Sequence, residues 1–149
     1  MSPGTQHFVC TLCGERFKGR LFALNRSARR LVFGDGHSAA HVEGAIAIAT
    51  YCSEGCQEFG VPCGMEEEQV PIPAHPPGPG PIEVCAVCQG PVDMSQWHLD
   101  YSVSVEEERG PSILQVIGDH SIAVVCGHCT AARGSAQAAE EVSEPLRIE

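Results

Sequence analysis

Aromatic side chains are scarce in this chain. Its 149 residues include five Phe, two Tyr and one Trp, so little bulky material is available for a large hydrophobic core. The length alone suggests one domain, but this composition favours smaller units with another source of stability. Below about 70–80 residues a core rarely supplies more than a few kcal/mol, and small folds then depend on a metal or on cross-links.

Long apolar runs are missing too. The longest, Ala45 to Tyr51, fits a strand and falls far short of the roughly 18 residues that a membrane-spanning helix needs. The start of the chain, Met1 to Gln6, is polar, and the apolar segment of a secretory signal does not follow it. We therefore expect a cytoplasmic protein with no membrane partner, whose thiols stay reduced.

Positive charge is in short supply overall. The formal net charge is −10, and the residues from 66 onwards account for most of the acidic excess. A chain this acidic repels phosphates as a whole, which argues against nonspecific nucleic-acid binding. The exception is a basic segment without acids, interleaved with two phenylalanines, whose members are Arg16, Lys18, Arg20, Arg26, Arg29 and Arg30.

Cysteine, by contrast, is abundant. Eight of the nine cysteines form close pairs, and in a reducing compartment such pairs indicate metal sites; the disulfide alternative would require export. Zinc prefers four ligands in a tetrahedron, with sulfur at about 2.3 Å. We predict two structural zinc ions, one per set of four thiolates. The first set is Cys10, Cys13, Cys52 and Cys56, and the second is Cys85, Cys88, Cys126 and Cys129.

The two sets are spaced alike, which suggests a duplicated module. A strand-like apolar run also precedes each second pair, before Cys52 and before Cys126. We assign residues 7–62 and 83–133 to two zinc-binding modules, residues 63–82 to an acidic and proline-rich linker, and residues 134–149 to a flexible tail. Prolines between positions 71 and 81 favour polyproline II, which would hold the modules roughly 30 Å apart.

The predicted fold class is small, metal-stabilised and β-rich, of the zinc-ribbon or treble-clef kind. Short helices should follow the second cysteine pairs, one of them capped by Ser53 and the other starting near Thr130. In the first module, 17–24 and 29–33 could form a hairpin around Asn25-Arg-Ser27, although a helix over 21–32 is an alternative. The next turn is expected at Gly34-Asp-Gly36.

The second module has a clearer strand pattern. Residues 99–105 alternate apolar with polar side chains, which is typical of a half-buried strand. Gly110-Pro111 marks a turn, so that residues 113–117 can return as the partner strand, and Gly118-Asp119 marks a further turn. Glycines near the cysteine pairs, Gly14 and Gly90 among them, could supply the positive φ that tight turns need.

A resemblance to known zinc fingers lies in the first module. Cys10-Thr-Leu-Cys13-Gly14 is followed later by Tyr51-Cys52-Ser53-Glu54-Gly55-Cys56-Gln57-Glu58-Phe59. This motif resembles treble-clef zinc fingers of the TRASH, YHS and MYM type, and the second module resembles zinc ribbons and treble clefs more generally. The resemblance implies binding roles, namely metal sensing or contact with protein or nucleic acid.

Other thiols and imidazoles are weaker candidates for the metal. Cys63 is the odd cysteine and could be an alternative ligand, a reactive thiol or neither. His128 lies inside the last pair, where four cysteines already complete a set, so it is more readily a neighbour of the site than a ligand. His37 and His41 could complete the first site only if Cys52 or Cys56 were not used.

These features favour a non-catalytic protein. Four-thiolate sites are closed, whereas a catalytic zinc keeps an open position. We expect an adaptor or regulatory protein that contacts another macromolecule, with a second protein as the favoured partner. One alternative is a transcription regulator whose basic segment binds nucleic acid, although that segment could equally clamp an acidic partner or the chain's own second module. The other alternative is a metal or redox sensor.

Overall fold

The structure, a computed structural model, describes residues 7–34, 37–78, 80–111 and 113–132. In this part of the chain the backbone forms eight strands and one long helix, and residues 127–132 are also helical. The elements are β1 Phe8–Val9, β2 Arg16–Phe17, β3 Arg20–Gly34, β4 His37–Tyr51, α1 Glu54–Glu68, β5 Ile82–Val84, β6 Pro91–Asp93, β7 His98–Gly110 and β8 Ile113–Val125.

A four-stranded antiparallel sheet dominates the molecule, in the order β4-β3-β7-β8. Each half of the sequence contributes one long hairpin, and the two hairpins join where β3 pairs with β7, from Arg20 opposite Glu107 to Arg29 opposite His98. The expectation of modules held roughly 30 Å apart by a proline spacer is therefore wrong. Ten residue pairs between β3 and β7 make the two halves neighbours in one sheet.

One face of the sheet packs against α1. Side chains alternate along a strand, and Leu24 of β3 and Tyr101 of β7 are buried on the side that α1 covers. The helix approaches closely because it presents glycines. A Cβ atom on Gly60 would lie 2.2 Å from the Tyr51 ring, and one on Gly64 would lie 2.8 Å from Leu24 Cδ2.

The first hairpin differs from both sequence predictions. Neither a turn at residues 25–27 nor a helix over 21–32 forms, because β3 runs without interruption and is paired on both sides. The polar turn signal of Asn25 and Ser27 is overridden by hydrogen-bonding partners that lie far away in the sequence. The predicted turn at residues 34–36 falls mostly on residues that are not described, but β3 and β4 do pair up to Gly34 opposite His37.

The second hairpin follows the prediction more closely. Residues 99–105 lie in β7, and residues 113–117 pair with it as β8. The predicted turn at Gly118-Asp119 is wrong, because β8 continues through both residues. The register instead shifts between Val105 and Glu106, so the glycine signal marks a β-bulge, which glycine in a strand also indicates.

The helix α1 is longer than expected. Ser53 caps it as predicted, accepting a hydrogen bond from the Cys56 N–H, but the helix continues through Pro62 to Glu68. Residues 63–68, assigned to the linker, are thus its last turns. The predicted tail, residues 134–149, lies outside the described residues. No described helix is long and apolar enough to cross a membrane.

The two hairpins are related by an approximate two-fold axis. In each, a bulge follows three regular pairs: after Leu24 opposite Ala49 in the first, and after Tyr101 opposite Ala123 in the second. The residues just beyond these bulges, Asn25 and Ser102, pair with each other. Equivalent residues that face each other lie on a two-fold axis, which supports the duplication suggested by the cysteine spacing.

Candidate metal centres

Each set of four cysteines converges from three separate pieces of backbone. In the first centre, Cys10 and Cys13 lie in the turn between β1 and β2, Cys52 follows β4, and Cys56 lies in the first turn of α1. In the second, the turn between β5 and β6 carries the first pair, Cys126 follows β8, and Cys129 lies in the helical residues 127–132.

The sulfur atoms are spaced as a tetrahedral metal requires. Within each set all four Sγ atoms lie within 4.8 Å of one another. The Sγ atoms of Cys13 and Cys52 are 3.7 Å apart, those of Cys52 and Cys56 3.8 Å, and those of Cys88 and Cys126 3.9 Å. A tetrahedron with metal–sulfur distances of about 2.3 Å has edges of about 3.8 Å. Two four-cysteine groups, each able to hold one ion, fit two zinc ions per chain.

The backbone around both centres is matched residue for residue. Thr11 N–H donates to the Thr50 carbonyl at 2.7 Å, and Ala86 N–H donates to the Val124 carbonyl at 2.9 Å, so each cysteine turn is fastened to the outer strand of its own hairpin. The residue after each first pair has positive φ. It is Gly14 in the first centre, at 79°, and Gln89 in the second, at 63°. The positive φ predicted for Gly90 therefore belongs to its neighbour.

The first cysteine of each set has a lowered pKa. Burial raises the pKa of the Cys10 thiol, but backbone N–H groups of Cys13, Cys52 and Leu12 outweigh it and lower the pKa to about 6. Burial also raises the pKa of the Cys85 thiol, but backbone N–H groups, that of Cys126 first among them, outweigh it and lower the pKa to about 7. Burial and neighbouring thiols raise the pKa of Cys52 and of Cys129 to about 12. Cys10 and Cys85 thus lose their protons more readily than Cys52 and Cys129, whose protons a bound ion must displace.

The weaker candidates belong to neither group of four cysteines. Cys63 sits on the exposed side of α1, with Sγ 4.0 Å from the Phe59 carbonyl, and His128 is exposed. Neither belongs to a four-cysteine group. His41 lies against Trp97, with ring centroids 5.2 Å apart. The side chain of His37 is outside the described residues.

The six basic residues do not form one surface. Arg20 pairs with Glu107 and Arg26 with Glu68, both at 2.9 Å, and Arg29 Nε lies 3.9 Å from Asp100. Arg30 lies 5.4 Å from the centre of the Trp97 ring. Arg16 and Lys18 are exposed and form no ion pair with the described residues. Two of these partners, Glu107 and Asp100, belong to β7, so the basic segment contacts the chain's own second half.

Sequence reasoning missed how these contacts tie the halves together. Glu68 at the end of α1 accepts hydrogen bonds from Arg26 of β3 and from the Tyr101 hydroxyl of β7, the latter at 2.7 Å. The Gln57 side chain donates to the carbonyls of Ala23 and Ser104. The acidic run at residues 66–68 falls in the predicted linker, and no sequence signal separates Glu68 from its neighbours.

Comparison with protein-family models, with curated proteins and with solved structures finds no match for this chain. The description of the centres therefore depends on their geometry.

Proposed function

We propose that this chain is a non-catalytic zinc protein that acts as an adaptor for another protein. The observation that carries the proposal is the closed character of both centres. Four thiols converge in each, leaving no position for a substrate or an activated water, which a catalytic zinc requires. Each centre fastens the end of a hairpin to a cysteine turn and a helix, which is a structural task.

The treble-clef interpretation belongs to the same proposal. In each half a cysteine turn between two short strands is followed by a long hairpin and then by a helix that carries the last ligand. In the first half, the CxxC turn and the later Cys-Ser pair at the start of a helix are what the resemblance to treble-clef fingers implies. A cytoplasmic location is proposed with it, because free thiols of this kind persist in reducing compartments.

An exposed aromatic side chain supports a protein partner. Phe59 on α1 is 74% exposed, more than any other large hydrophobic side chain among the described residues. Aromatic residues are enriched where proteins bind each other. A photo-crosslinking residue placed at position 59 should therefore give adducts of defined mass in cells, whereas the same residue at Gln115 on β8 should give none. Equal labelling from both positions, or none from either, would contradict the adaptor role.

The structural role of zinc has its own test. Native mass spectrometry of protein purified without chelator should show two zinc ions per chain, and removing them should abolish the cooperative unfolding transition. A metal-free protein that still unfolds cooperatively would refute a structural role for the centres.

A redox-sensing role is the second candidate, and one observation favours it. Cys13 and Cys88, one ligand in each centre, are exposed at the surface, where an oxidant can reach them. Zinc released by mild peroxide and recovered on reduction would favour a sensor. Sites that keep their zinc under the same treatment would favour the adaptor.

Nucleic-acid binding is the third proposal. Ion pairs within the chain reduce the number of basic residues that are available to contact a phosphate. Only Arg16 and Lys18 remain as exposed bases without an ion pair among the described residues. A double Arg16→Ala, Lys18→Ala variant should abolish any salt-dependent binding to an oligonucleotide. Binding that survives in this variant would mean that the basic segment is not the contact surface.

A further inference from the structure

The sheet face opposite α1 carries a polar groove at the approximate two-fold axis. Its floor comes from the central strands, where Asn25 and Ser27 of β3 lie beside Ser102 and Ser104 of β7. The groove has a volume of about 290 Å³. The three serines are at most 4% exposed. Strand faces that are this deeply buried usually carry apolar side chains, so the buried hydroxyl groups of this floor are unusual and mark it as a candidate polar site.

The hydroxyl groups of the floor are not all satisfied within the protein. Asn25 donates from Nδ2 to Ser104 Oγ at 2.9 Å, and Arg29 donates from Nε to Ser27 Oγ at 3.0 Å. Ser102 lies on the axis, is 3% exposed, and forms no side-chain hydrogen bond with the described residues. The Ser102 hydroxyl is not among the fully buried side-chain atoms that lack a partner, so it is accessible and available to a molecule that enters the groove.

The two ends of the groove carry opposite charge. Arg29 lies at one end, where its Nε is 3.9 Å from an oxygen of Asp100, a carboxyl whose pKa burial raises. At the other, Glu106 lies within 3.3 Å of the Ser104 hydroxyl, and Asp119 stands opposite Ser104 on the neighbouring strand. Neither Glu106 nor Asp119 forms an ion pair with the described residues. An anion would be repelled by the two carboxylates, and a polycation by the guanidinium.

We propose that this groove binds a short zwitterionic peptide of about dipeptide size. Its ammonium group would lie between Glu106 and Asp119, its carboxylate would point towards Arg29, and a polar group of its backbone would bond to Ser102. The volume of about 290 Å³ is just below the range of about 300–1,000 Å³ that is typical of small-molecule sites, which suits a ligand as small as a dipeptide. Charge complementarity at both ends fixes the direction in which the peptide lies.

The test uses the full-length, zinc-loaded protein and follows backbone amide shifts by NMR. Titration with the dipeptide alanyl-alanine should give saturable shifts at Ser102, Ser104 and Asn25. N-acetyl-alanyl-alanine lacks the ammonium group and alanyl-alaninamide lacks the carboxylate, so each should bind about tenfold more weakly. Saturable shifts that are absent, or that appear equally with the acetylated peptide, would overturn the proposal.

Single substitutions can distinguish binding in the groove from a general effect of the protein's net charge. Asp119→Asn should weaken alanyl-alanine binding about tenfold, because it removes half of the ammonium site. Glu58→Gln makes the same change of charge on the exposed side of α1 and should leave binding unchanged. Ser102→Val should abolish binding by filling the floor. Equal loss in the Asp119 and Glu58 variants, or tighter binding of spermidine than of the dipeptide, would contradict a zwitterion site.

Discussion

At the scale of single residues, the two halves differ where the backbone demands the same conformation. The position after each CxxC pair requires positive φ, which glycine adopts without steric cost. The first half has Gly14 there, but the second has Gln89. Sequence reasoning selected the nearby Gly90 because glycine is the usual signal, and no residue pattern reveals a strained glutamine.

Replacing this glutamine should stabilise the protein. A residue with a side chain pays about 1–2 kcal/mol for the left-handed conformation at this position, and Gln89→Gly removes that cost. Part of the gain is lost because glycine gives the unfolded chain more conformational entropy. We expect a net gain of about 0.5–1 kcal/mol in the free energy of unfolding, measured by urea denaturation of the zinc-loaded protein. The reverse change, Gly14→Gln, should cost about 1–2 kcal/mol. Equal stability of the parent and both variants would show that these turns are not strained.

Asp100 is a second residue whose environment can be tested. Burial raises its pKa, and this outweighs the Ser121 hydroxyl and the Arg29 guanidinium, which favour the carboxylate. Because the folded protein holds this proton more tightly than the unfolded chain does, Asp100 contributes most to stability at low pH and less as pH rises through the raised pKa.

The neutral variant Asp100→Asn should therefore be more stable than the parent at neutral pH, and the difference should shrink as the pH is lowered. For Asp93 the substitution should change the free energy of unfolding in the opposite direction, because hydrogen bonds from Ser95 lower the pKa of this carboxyl. Asp93→Asn should therefore be less stable than the parent at neutral pH. Urea denaturation across the pH range in which zinc stays bound would measure both. A stability difference for Asp100→Asn that grows on acidification would disprove the assignment.

At the scale of elements, local patterns predicted the second hairpin well and the first one poorly. The alternation in residues 99–105 is plain because one side of β7 is apolar and the other polar. In β3 the polar residues 25–27 interrupt that pattern, and the strand persists because β4 and β7 hold it from both sides. The length of α1 was also hidden, since Gly60, Pro62 and Gly64 all have poor helix propensity.

These helix glycines have a packing role that a matched pair of variants can isolate. Gly60→Ala places a methyl group against the Tyr51 ring and should lower the free energy of unfolding by about 1–3 kcal/mol through overpacking. Gly55→Ala in the same helix meets only Ser53 Oγ, at 3.9 Å, and should raise it by up to about 1 kcal/mol. Thermal denaturation followed by circular dichroism would measure both. A Gly60→Ala protein that is at least as stable as the parent would contradict close packing of α1 on β4.

At the scale of the whole molecule, the metal ligands could be predicted but the arrangement of the halves could not. Cysteine spacing identified both groups of four because a metal imposes short-range rules on the ligands. Nothing in residues 20–34 or 98–110 specifies that β3 and β7 pair, since the paired residues are far apart in the sequence, from Arg29 opposite His98 to Arg20 opposite Glu107. The proline-rich stretch at residues 71–81 predicted that the two halves are held apart, yet strands from both halves lie in one sheet.

Because both halves share one sheet, loss of a metal ligand in one centre should also lower the local stability of the other half. Cys85→Ser removes a ligand of the second centre and should lower hydrogen-exchange protection in β3 as well as in β7, because the pairing of these strands couples them. The companion variant Cys63→Ser leaves both ligand sets intact and should not alter exchange. Full protection of β3 in the Cys85→Ser protein would show that the halves fold independently.

The near-symmetry of the sheet has one more consequence. In an assembly of two identical subunits, whatever lies across the axis must look the same from either side. Arg29 lies four residues beyond Asn25, and Glu106 lies four residues beyond Ser102, so equivalent positions carry opposite charges. The two halves belong to one polypeptide and need not be identical, so the proposed peptide groove can carry a different charge at each end and hold a zwitterion in one direction only.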